Sequence, residues 1–501
     1  MYFSLPPPFD YCLIIVGCNM LLLNSRNRTS SPGPSWVLKR KVRSVAIAVL
    51  TTSFAAIFLW PRSGVLDTFR RESLLNITAS SGAGCHDADP ELLGRLGVRN
   101  LQNFVQREVV VVDPQPGDDN NRRAQRVDIP LLNTDWEPSN ETLDLDHCLN
   151  PVPIRVQMPL NRNRLDASHI DFGIATTEAR LNDSMDAFAH WAAYSNARIL
   201  ALLETDAHKV ELESRAKAMG IILQITESKD EYELRYFSLL RHLGNNARPE
   251  TRWSSIIDDD TFFMSMPALV EALSIHDTSK PIYLGGMSES VKQIHSFGVM
   301  AYGGAGIFLT QPLLRKINSV YELCQSMGSH GDRQISHCIY QQTSTRLTLE
   351  HRLHQLDLKG DVSGFFEAGR EPPLSVHHWK SWFQMDMAKL SAVARICGDA
   401  CLLAQVQFSD NWILTNGFSI VHYSTEVNVG DTTMEKTWKK HGGSSTDSYF
   451  HELAPIRPKD KEKFSYRLQD AVVDKDRVRQ YYVHRNFFKG DRVLELIWRR
   501  E

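Results

Sequence analysis

The feature that most constrains the fold is an alternation of short apolar runs with amphipathic runs between residues 170 and 257. The apolar runs have the length of strands, and the runs between them repeat apolar residues at helical spacing. The predicted strands are Asp171–Thr176, Arg198–Leu203, Ile221–Thr226 and Trp253–Ile257, and the predicted helices are one through Met185, Phe188, Trp191 and Ala192, then Ala207–Met219 and Asp230–Leu243. This order predicts an α/β fold whose central sheet is mostly parallel, with helices on both faces. Such sheets bind ligands at the carboxyl ends of their strands.

Three consecutive carboxylates follow the last of these strands. Asp258, Asp259 and Asp260 have no lysine or arginine among them, and Phe262 and Phe263 come directly after. Like charges crowded at the end of an apolar strand repel each other unless a cation or several donors compensates them. Carboxylate oxygens suit Mg²⁺ or Mn²⁺ (manganese), which keep open positions for substrate phosphates. The alternative is a solvated acidic turn, which the flanking apolar residues argue against.

Three further groups along the chain are candidates for a site. Gly303 and Gly304, in the run Tyr302–Gly306, permit close approach of the backbone to a ligand, or else form a turn or bulge. Asp332 precedes a short apolar helix, where it either takes part in the chemistry of a site or is only the N-cap of that helix. His377 and His378 follow the Gly- and Pro-containing stretch 364–373 and supply imidazoles, although adjacent histidines are also common on surfaces.

Length and composition bound the class of protein. The chain has 501 residues, which exceeds one ordinary domain, and its 42% hydrophobic and 23% charged residues are typical of a globular protein. The net charge of -3 and the lack of a basic stripe give no reason to expect binding to nucleic acid.

The first part of the chain has the pattern of a membrane anchor. Ser44–Trp60 carries no charge, and four basic residues lie between Lys39 and Arg43. The uncharged run predicts a transmembrane helix over 44–60. The polar, Ser- and Pro-containing residues 1–43 are predicted to be a disordered tail. The positive-inside rule places this tail in the cytosol and the rest of the chain in the lumen. The alternative, a cleaved signal peptide, would require an unusually long leader. Residues 61–165 have few periodic runs and are interpreted as a stem and an irregular region.

The cysteines agree with a lumenal location. Six lie beyond the apolar segment, an even number that suggests disulfides in an oxidising compartment. Cys324 with Cys338, and Cys397 with Cys401, are the candidate local pairs. Sequons at Asn76, Asn140 and Asn182 are compatible with glycosylation in the same compartment.

The ordered set of motifs resembles the Fringe-like glycosyltransferases of family 31, in their fungal-type branch. The resemblance rests on the strand with Asp-Asp-Asp-Thr-Phe-Phe, then Gly-Gly-Ala-Gly, Gly-Asp and His-His-Trp, and on Trp412–Gly417 with Tyr423. It covers roughly residues 165–500. It implies a GT-A-like catalytic domain over 166–424 and a C-terminal extension, 425–501, packed on that domain.

The resemblance also implies roles for individual residues. Asp260 would ligate the metal together with His377 or His378, with a preference for His378. Asp332 would be the catalytic base. The remaining implied positions bind the nucleotide sugar: Thr176, Thr177, Arg180, Asp258, Asp259, Gly303 and Gly304.

The implied function is an inverting, metal-dependent transfer of a hexose, of galactose or N-acetylglucosamine type, from a UDP-sugar to a hydroxyl of a glycan or glycoprotein. The implied cofactor is Mn²⁺ or Mg²⁺, and the location is the Golgi or ER membrane with a lumenal catalytic domain. One base and no second nucleophilic carboxylate indicate a single displacement. The alternative is an inactive lumenal glycan-binding or scaffold protein on the same fold; a metal-dependent phosphohydrolase would need more metal ligands.

Overall fold

The structure is a computed structural model that describes residues 89–112, 124–132, 148–155, 165–327, 331–409, 411–439 and 455–501. The predicted tail, the predicted anchor Ser44–Trp60 and two of the sequons, Asn76 and Asn140, lie outside these residues. Within the described ranges, no helix combines the length and the apolar character needed to cross a membrane.

The elements alternate in the order that the sequence predicts from residue 170 to residue 263. The strands are β1 (Leu101–Val112), β2 (Ala124–Pro130), β3 (Cys148–Arg155), β4 (Ile170–Thr176), β5 (Arg198–Leu203), β6 (Ile222–Glu227), β7 (Trp253–Ile257), β8 (Phe262–Phe263), β9 (Tyr283–Gly285), β10 (Ile307–Thr310), β11 (Leu347–Leu349), β12 (Ser375–Val376), β13 (Gln405–Ser409), β14 (Trp412–Thr415), β15 (Ser419–His422), β16 (Met434–Glu435), β17 (Ile456–Arg457), β18 (Phe464–Val473), β19 (Arg477–His484) and β20 (Asp491–Arg500). The helices are α1 (Pro90–Arg95), α2 (Glu178–Ala192), α3 (Lys209–Ala218), α4 (Tyr232–Asn245), α5 (Met266–Ser274), α6 (Val291–Phe297), α7 (Gln311–Asn318), α8 (Tyr321–Gln325), α9 (Gly331–Gln342), α10 (Ser363–Phe366), α11 (Met387–Ser391) and α12 (Ala394–Cys397).

The central sheet has seven strands in the order β11-β9-β10-β7-β4-β5-β6. Strands β7, β4, β5 and β6 pair in parallel, whereas β10 is antiparallel to both of its neighbours, β7 and β9. The mixed α/β fold with a mostly parallel central sheet is therefore confirmed. Strand β7 lies inside the sheet and every residue of it is buried, so its end delivers the aspartate triplet to a protected position.

The residues that follow the triplet are held by aromatic packing. Phe263 lies 5.4 Å from Phe172 of β4 and 5.2 Å from Trp191 of α2, measured between ring centroids. Buried aromatic pairs at these distances contribute about 0.5–1.5 kcal/mol each beyond the area they bury. Both ends of the triplet are thus fixed to the core.

A second sheet of nine strands corrects the interpretation of residues 61–165 as irregular. Its order is β2-β13-β14-β15-β18-β19-β20-β1-β3, so three strands from the supposed irregular region belong to it, and two of them, β1 and β2, pair with strands beyond residue 404. Strand β1 pairs in parallel with both β20 and β3. Strands on both sides of the predicted boundary at residue 424 belong to this sheet, and one hydrophobic cluster contains residues of both sheets.

Two local predictions are confirmed. Cys324 is bonded to Cys338 and Cys397 to Cys401. The dipeptide Asn416-Gly417 is a typical hairpin turn, and strands β14 and β15 form a hairpin around it with Gly417 at a φ of 79°.

Candidate functional site

The aspartate triplet forms a tight, buried turn at the carboxyl end of β7. The Thr261 hydroxyl accepts a hydrogen bond from the Asp258 N–H at 3.1 Å and donates one to the Gly304 carbonyl at 2.9 Å. The relative exposures of Asp258, Asp259 and Asp260 are 8%, 4% and 0%. These values exclude the solvated acidic turn.

An imidazole lies against two of the three carboxylates. His377 Nε2 is 2.9 Å from Asp260 Oδ1 and 3.2 Å from Asp258 Oδ2. Burial opposes the charge on both members of the pair, yet the Asp260 carboxylate raises the pKa of His377 well above its usual value. Burial likewise acts to raise the pKa of Asp260, but the adjacent His377 holds it well below its usual value. The pair is therefore a strongly coupled charge pair in the interior.

The second histidine packs beside the first. The rings of His377 and His378 have centroids 3.9 Å apart, and both side chains are buried, so the interpretation of this pair as surface residues is wrong. His378 Nε2 lies 3.2 Å from Asp357 Oδ1, and its Nδ1 lies 3.3 Å from the Ser381 hydroxyl. Burial lowers the pKa of His378, and the neighbouring His377 lowers it further.

These residues fit a divalent cation. Ligand atoms of Asp260, His377 and His378 lie within 4.8 Å of one another. Asp260 Oδ1 is buried and makes no aligned hydrogen bond to any group of the described chain, although His377 Nε2 is close. The Asp260 oxygen and the histidine nitrogens form a mixed oxygen and nitrogen ligand set, which divalent metals accept.

The middle aspartate is saturated by a different set of groups. Arg180 Nε donates to Asp259 Oδ2 at 2.6 Å, Arg180 Nη2 donates to Oδ1, and the Thr176 hydroxyl also donates to Oδ2. The Arg180 side chain is 50% exposed, so it lies at the solvent edge of the site while its guanidinium is bound to Asp259. Thr177 is the N-cap of α2, and its hydroxyl accepts from the Arg180 N–H at 3.3 Å.

The two glycines lie between this cluster and Asp332. A Cβ atom on Gly304 would lie 2.1 Å from His377 Nδ1, and one on Gly303 would lie 2.0 Å from the Tyr236 hydroxyl. The close approach that was predicted toward a ligand is thus already made toward two side chains. The Gly303 N–H donates to Asp332 Oδ2 at 3.1 Å, so consecutive backbone positions contact Asp332 and His377.

Asp332 lies in the first turn of α9, which begins at Gly331. Its carboxylate extends to the Gly303 N–H on a different element. Burial raises the pKa of Asp332 above its usual value, while the hydrogen bond from Gly303 acts in the opposite direction. A carboxylate with a raised pKa is a stronger base than an ordinary aspartate.

Several residues of the site were not predicted. Asp357 and Gln355 lie in the segment Leu353–Leu358, where buried leucines alternate with polar residues that are also buried. The Gln355 carbonyl lies 3.3 Å from His377 Nδ1. That irregular mixture of buried leucine and polar residues was the available sequence signal, but it has neither strand nor helix periodicity.

Comparisons with known proteins give partial matches. Residues 292–406 match the family model described as "Protein of unknown function, DUF604". A human beta-1,3-glucosyltransferase is 25% identical over 150 residues, which are 28% of this chain and 28% of that protein. The chain therefore spans little more than a quarter of the length of the curated relative that it matches.

Solved structures match the chain loosely. The glycosyltransferase GlyE of Streptococcus pneumoniae TIGR4 is 14% identical and aligns over 42% of this chain and 54% of its own, with a TM-score of 0.26. Mouse xyloside xylosyltransferase 1 is 11% identical and aligns over 41% of this chain and 97% of its own, with a TM-score of 0.28.

Proposed function

We propose that the chain is a metal-dependent glycosyltransferase with a GT-A-like catalytic domain, which moves a hexose from a UDP-sugar to a hydroxyl of a glycan or glycoprotein. The observation that carries the proposal is the buried set of Asp258, Asp260 and His377 at the carboxyl end of β7. This is the edge of a parallel sheet where nucleotides bind. The human relative, which is named for a glucosyl transfer, points to the same class of reaction.

The carboxylates and imidazole of this set suit Mn²⁺ or Mg²⁺. Asp260 and an adjoining histidine would hold the ion. When bound, the ion supplies positive charge to the diphosphate that leaves with the nucleotide.

Arg180 and Asp259 act on the donor as a pair. Because both oxygens of Asp259 receive hydrogen bonds from Arg180, the guanidinium is fixed in one orientation at the edge of the site. A fixed, half-exposed guanidinium suits recognition of phosphate oxygens. Lys380 adds a second cation beside it, since its ammonium group donates to the Arg180 carbonyl at 3.1 Å.

Asp332 acts as the base. It takes the proton of the acceptor hydroxyl while the acceptor oxygen bonds to the anomeric carbon. The bond between that carbon and the phosphate oxygen breaks at the same time, and the electron pair leaves with UDP. A single displacement of this kind inverts the configuration at the anomeric carbon.

The donor is proposed by class. Galactose and N-acetylglucosamine are the sugars suggested by the resemblance, and the name of the human relative adds glucose. The location is proposed as the Golgi or ER membrane, with the catalytic part lumenal. The basic flank of Ser44–Trp60 and the two disulfides support that location.

A donor screen tests the proposed function. Purified full-length chain is incubated with Mn²⁺ and each of UDP-galactose, UDP-N-acetylglucosamine and UDP-glucose, with and without saccharide acceptors, and UDP release is measured. We expect one donor to be turned over, with loss of turnover in Asp260→Asn and normal turnover in Asp277→Asn, a matched change at a surface carboxylate. Glycan binding without turnover of any donor would instead support the inactive glycan-binding protein.

A further inference from the structure

The two adjacent histidines face different chemical groups. His377 directs Nε2 at Asp260 and Asp258, and its Nδ1 lies 3.3 Å from the Gln355 carbonyl. With its Nδ1–H bound to a carbonyl, this ring can bind a metal through Nε2, and binding the ion releases the Nε2 proton that faces Asp260 in the metal-free chain.

His378 has both ring nitrogens bound to protein groups. Asp357 Oδ1 contacts Nε2 at 3.2 Å, and the Ser381 hydroxyl contacts Nδ1 at 3.3 Å. Asp357 is held in turn, because the Ser288 hydroxyl donates to its other oxygen and its own N–H donates to Glu289 Oε2 at 3.2 Å. The carboxylates of Asp357 and Glu289 are buried, so this support does not depend on solvent.

The backbone and ring of His378 are constrained as well. Its φ is 63°, in the left-handed region, which costs most residues about 1–3 kcal/mol and persists only where the surroundings enforce it. The ring stacks on Trp382 with centroids 4.0 Å apart and an interplanar angle of 4°. His377 is therefore packed against a fixed ring, and also against the backbone of Gly304, which leaves no room for a Cβ.

We infer that His377 alone supplies the imidazole ligand. Asp357 is a positioning residue: it holds the His378 ring in place, and that ring packs against the His377 ring and limits its movement. This inference rests on the proposed metal site and reverses the preference for His378 that the sequence suggested. A carboxylate that is hydrogen-bonded to a metal-ligating histidine typically contributes about 10–100-fold to metal affinity. Because Asp357 contacts His378 and not the ligand itself, we expect its effect at the lower end of that range.

Mn²⁺ binding to the full-length chain tests the inference. Pulsed electron paramagnetic resonance detects modulation from a nitrogen bound to Mn²⁺, and free Mn²⁺ in a titration gives the affinity. We compare His377→Asn with His378→Asn, because asparagine also tolerates the left-handed backbone at residue 378. Nitrogen modulation should disappear in His377→Asn and remain in His378→Asn.

Asp357→Asn should keep the modulation and weaken Mn²⁺ binding about 10-fold, the lower end of the range for residues that orient a ligand. Asp386→Asn is the matched control, since Asp386 caps α11 and asparagine caps equally well; its Mn²⁺ affinity should not change. If Asp357→Asn does not fold, Trp382→Leu replaces it, because it removes the stacking contact of His378.

Modulation that is lost in His378→Asn and kept in His377→Asn would overturn the inference, as would wild-type affinity in Asp357→Asn. These failures differ from failure of the proposed function. A chain that binds Mn²⁺ through His377 but turns over no UDP-sugar keeps the inference and loses the function. A chain that turns over a UDP-sugar with the ion on His378 does the reverse.

Discussion

Two fully buried aspartates lie at opposite ends of neighbouring strands and have opposite surroundings. Asp171, near the start of β4, receives hydrogen bonds from Arg198 at 2.9 and 3.1 Å, from Arg248 at 2.9 Å and from the Thr251 hydroxyl at 2.6 Å. Asp260, beyond the end of β7, has an imidazole and a weak contact from the Ser381 hydroxyl at 3.3 Å.

This difference distinguishes a buried carboxylate that stabilises the fold from one that is available to bind a ligand. Burying a carboxylate is tolerated when cations and donors occupy its lone pairs, which is the situation of Asp171. Asp260 lies beside two other carboxylates instead, and among the residues that the structure describes no arginine or lysine contacts it directly. That arrangement leaves room for a bound cation.

The largest effect is expected for Asp260→Asn. It removes a charged ligand whose ion contributes several kcal/mol of transition-state stabilisation, so Mn²⁺-dependent turnover should fall by about 10³-fold or more. The metal-free chain should also lose stability at pH 7, because the lowered pKa of Asp260 means that its ionised form, paired with His377, stabilises the fold. Turnover is measured as UDP release and stability by thermal unfolding; near-normal turnover would show that the triplet is not the metal site.

Asp332→Asn is expected to reduce turnover by about 10²–10⁴-fold, because asparagine cannot accept the proton of the acceptor hydroxyl. Affinity for the UDP-sugar should stay the same, which equilibrium binding measures. Retention of more than about a tenth of the turnover would fall outside this range and would remove Asp332 as the base.

The pH dependence of turnover sharpens the same assignment. Burial raises the pKa of Asp332 in the folded chain, so the base loses its charge, and the enzyme its activity, as the pH falls through a value above the ordinary 3.8. The same raised pKa means that ionised Asp332 destabilises the fold at neutral pH. Asp332→Asn should therefore be no less stable than wild type at pH 7. The pH profile of any residual turnover in Asp332→Asn provides a further check. If its acid limb is the same as in wild type, Asp332 is not the group whose protonation causes that limb.

Asp171→Asn should differ from Asp260→Asn by sparing turnover. It removes the negative charge that two partly buried arginines, Arg198 and Arg248, share, and breaking a buried ion pair typically costs about 3–5 kcal/mol of unfolding free energy. Turnover per folded molecule should be preserved, because Asp171 lies away from the carboxyl ends of the strands. Denaturant unfolding measures the stability, and turnover is corrected for the folded fraction. A loss of turnover per folded molecule would show that Asp171 is not purely structural.

The smallest effects are expected from the disulfides. Cys324–Cys338 closes a segment of 14 residues that leads into α9 and Asp332, whereas Cys397–Cys401 closes one of 4. Loop entropy predicts losses of about 3 and about 2 kcal/mol on replacement of each pair by serine. Because only the first disulfide adjoins Asp332, only its loss should also lower turnover per folded molecule. Equal turnover in the two double variants would show that Asp332 does not depend on this covalent support.

The sequence predicted the parts of the molecule whose partners are near in the chain. Strands β4, β5, β6 and β7 are joined through single helices, so local periodicity was sufficient to predict them. Strand β1 pairs with β20, at the other end of the described chain, and no local pattern reports such a partner. Apolar residues at helical spacing continue from Gln311 to Cys324, yet this segment forms two helices, α7 and α8, separated by Ser319 and Val320.

The same distinction holds in the site. The aspartate triplet, the histidine pair and Asp332 were identified by residue type and order, and the structure brings them to one edge of the central sheet. Asp357 was not identified, because its role depends on a contact with His378 that only the folded chain creates. Thr177 and the glycines were assigned to the ligand, whereas the structure shows a helix cap and close packing against His377 and Tyr236.

The carboxylate and imidazole set should bind a divalent cation together with a uridine nucleotide. Calorimetric titration of UDP into the full-length chain, with Mn²⁺ and with EDTA, measures this directly. We predict binding that is at least about tenfold tighter with Mn²⁺, a difference of about 1.4 kcal/mol, and that this gain is lost in Asp260→Asn. Equal UDP affinity with and without Mn²⁺, or a gain that survives in Asp260→Asn, would show that this set does not bind the cation and the nucleotide together.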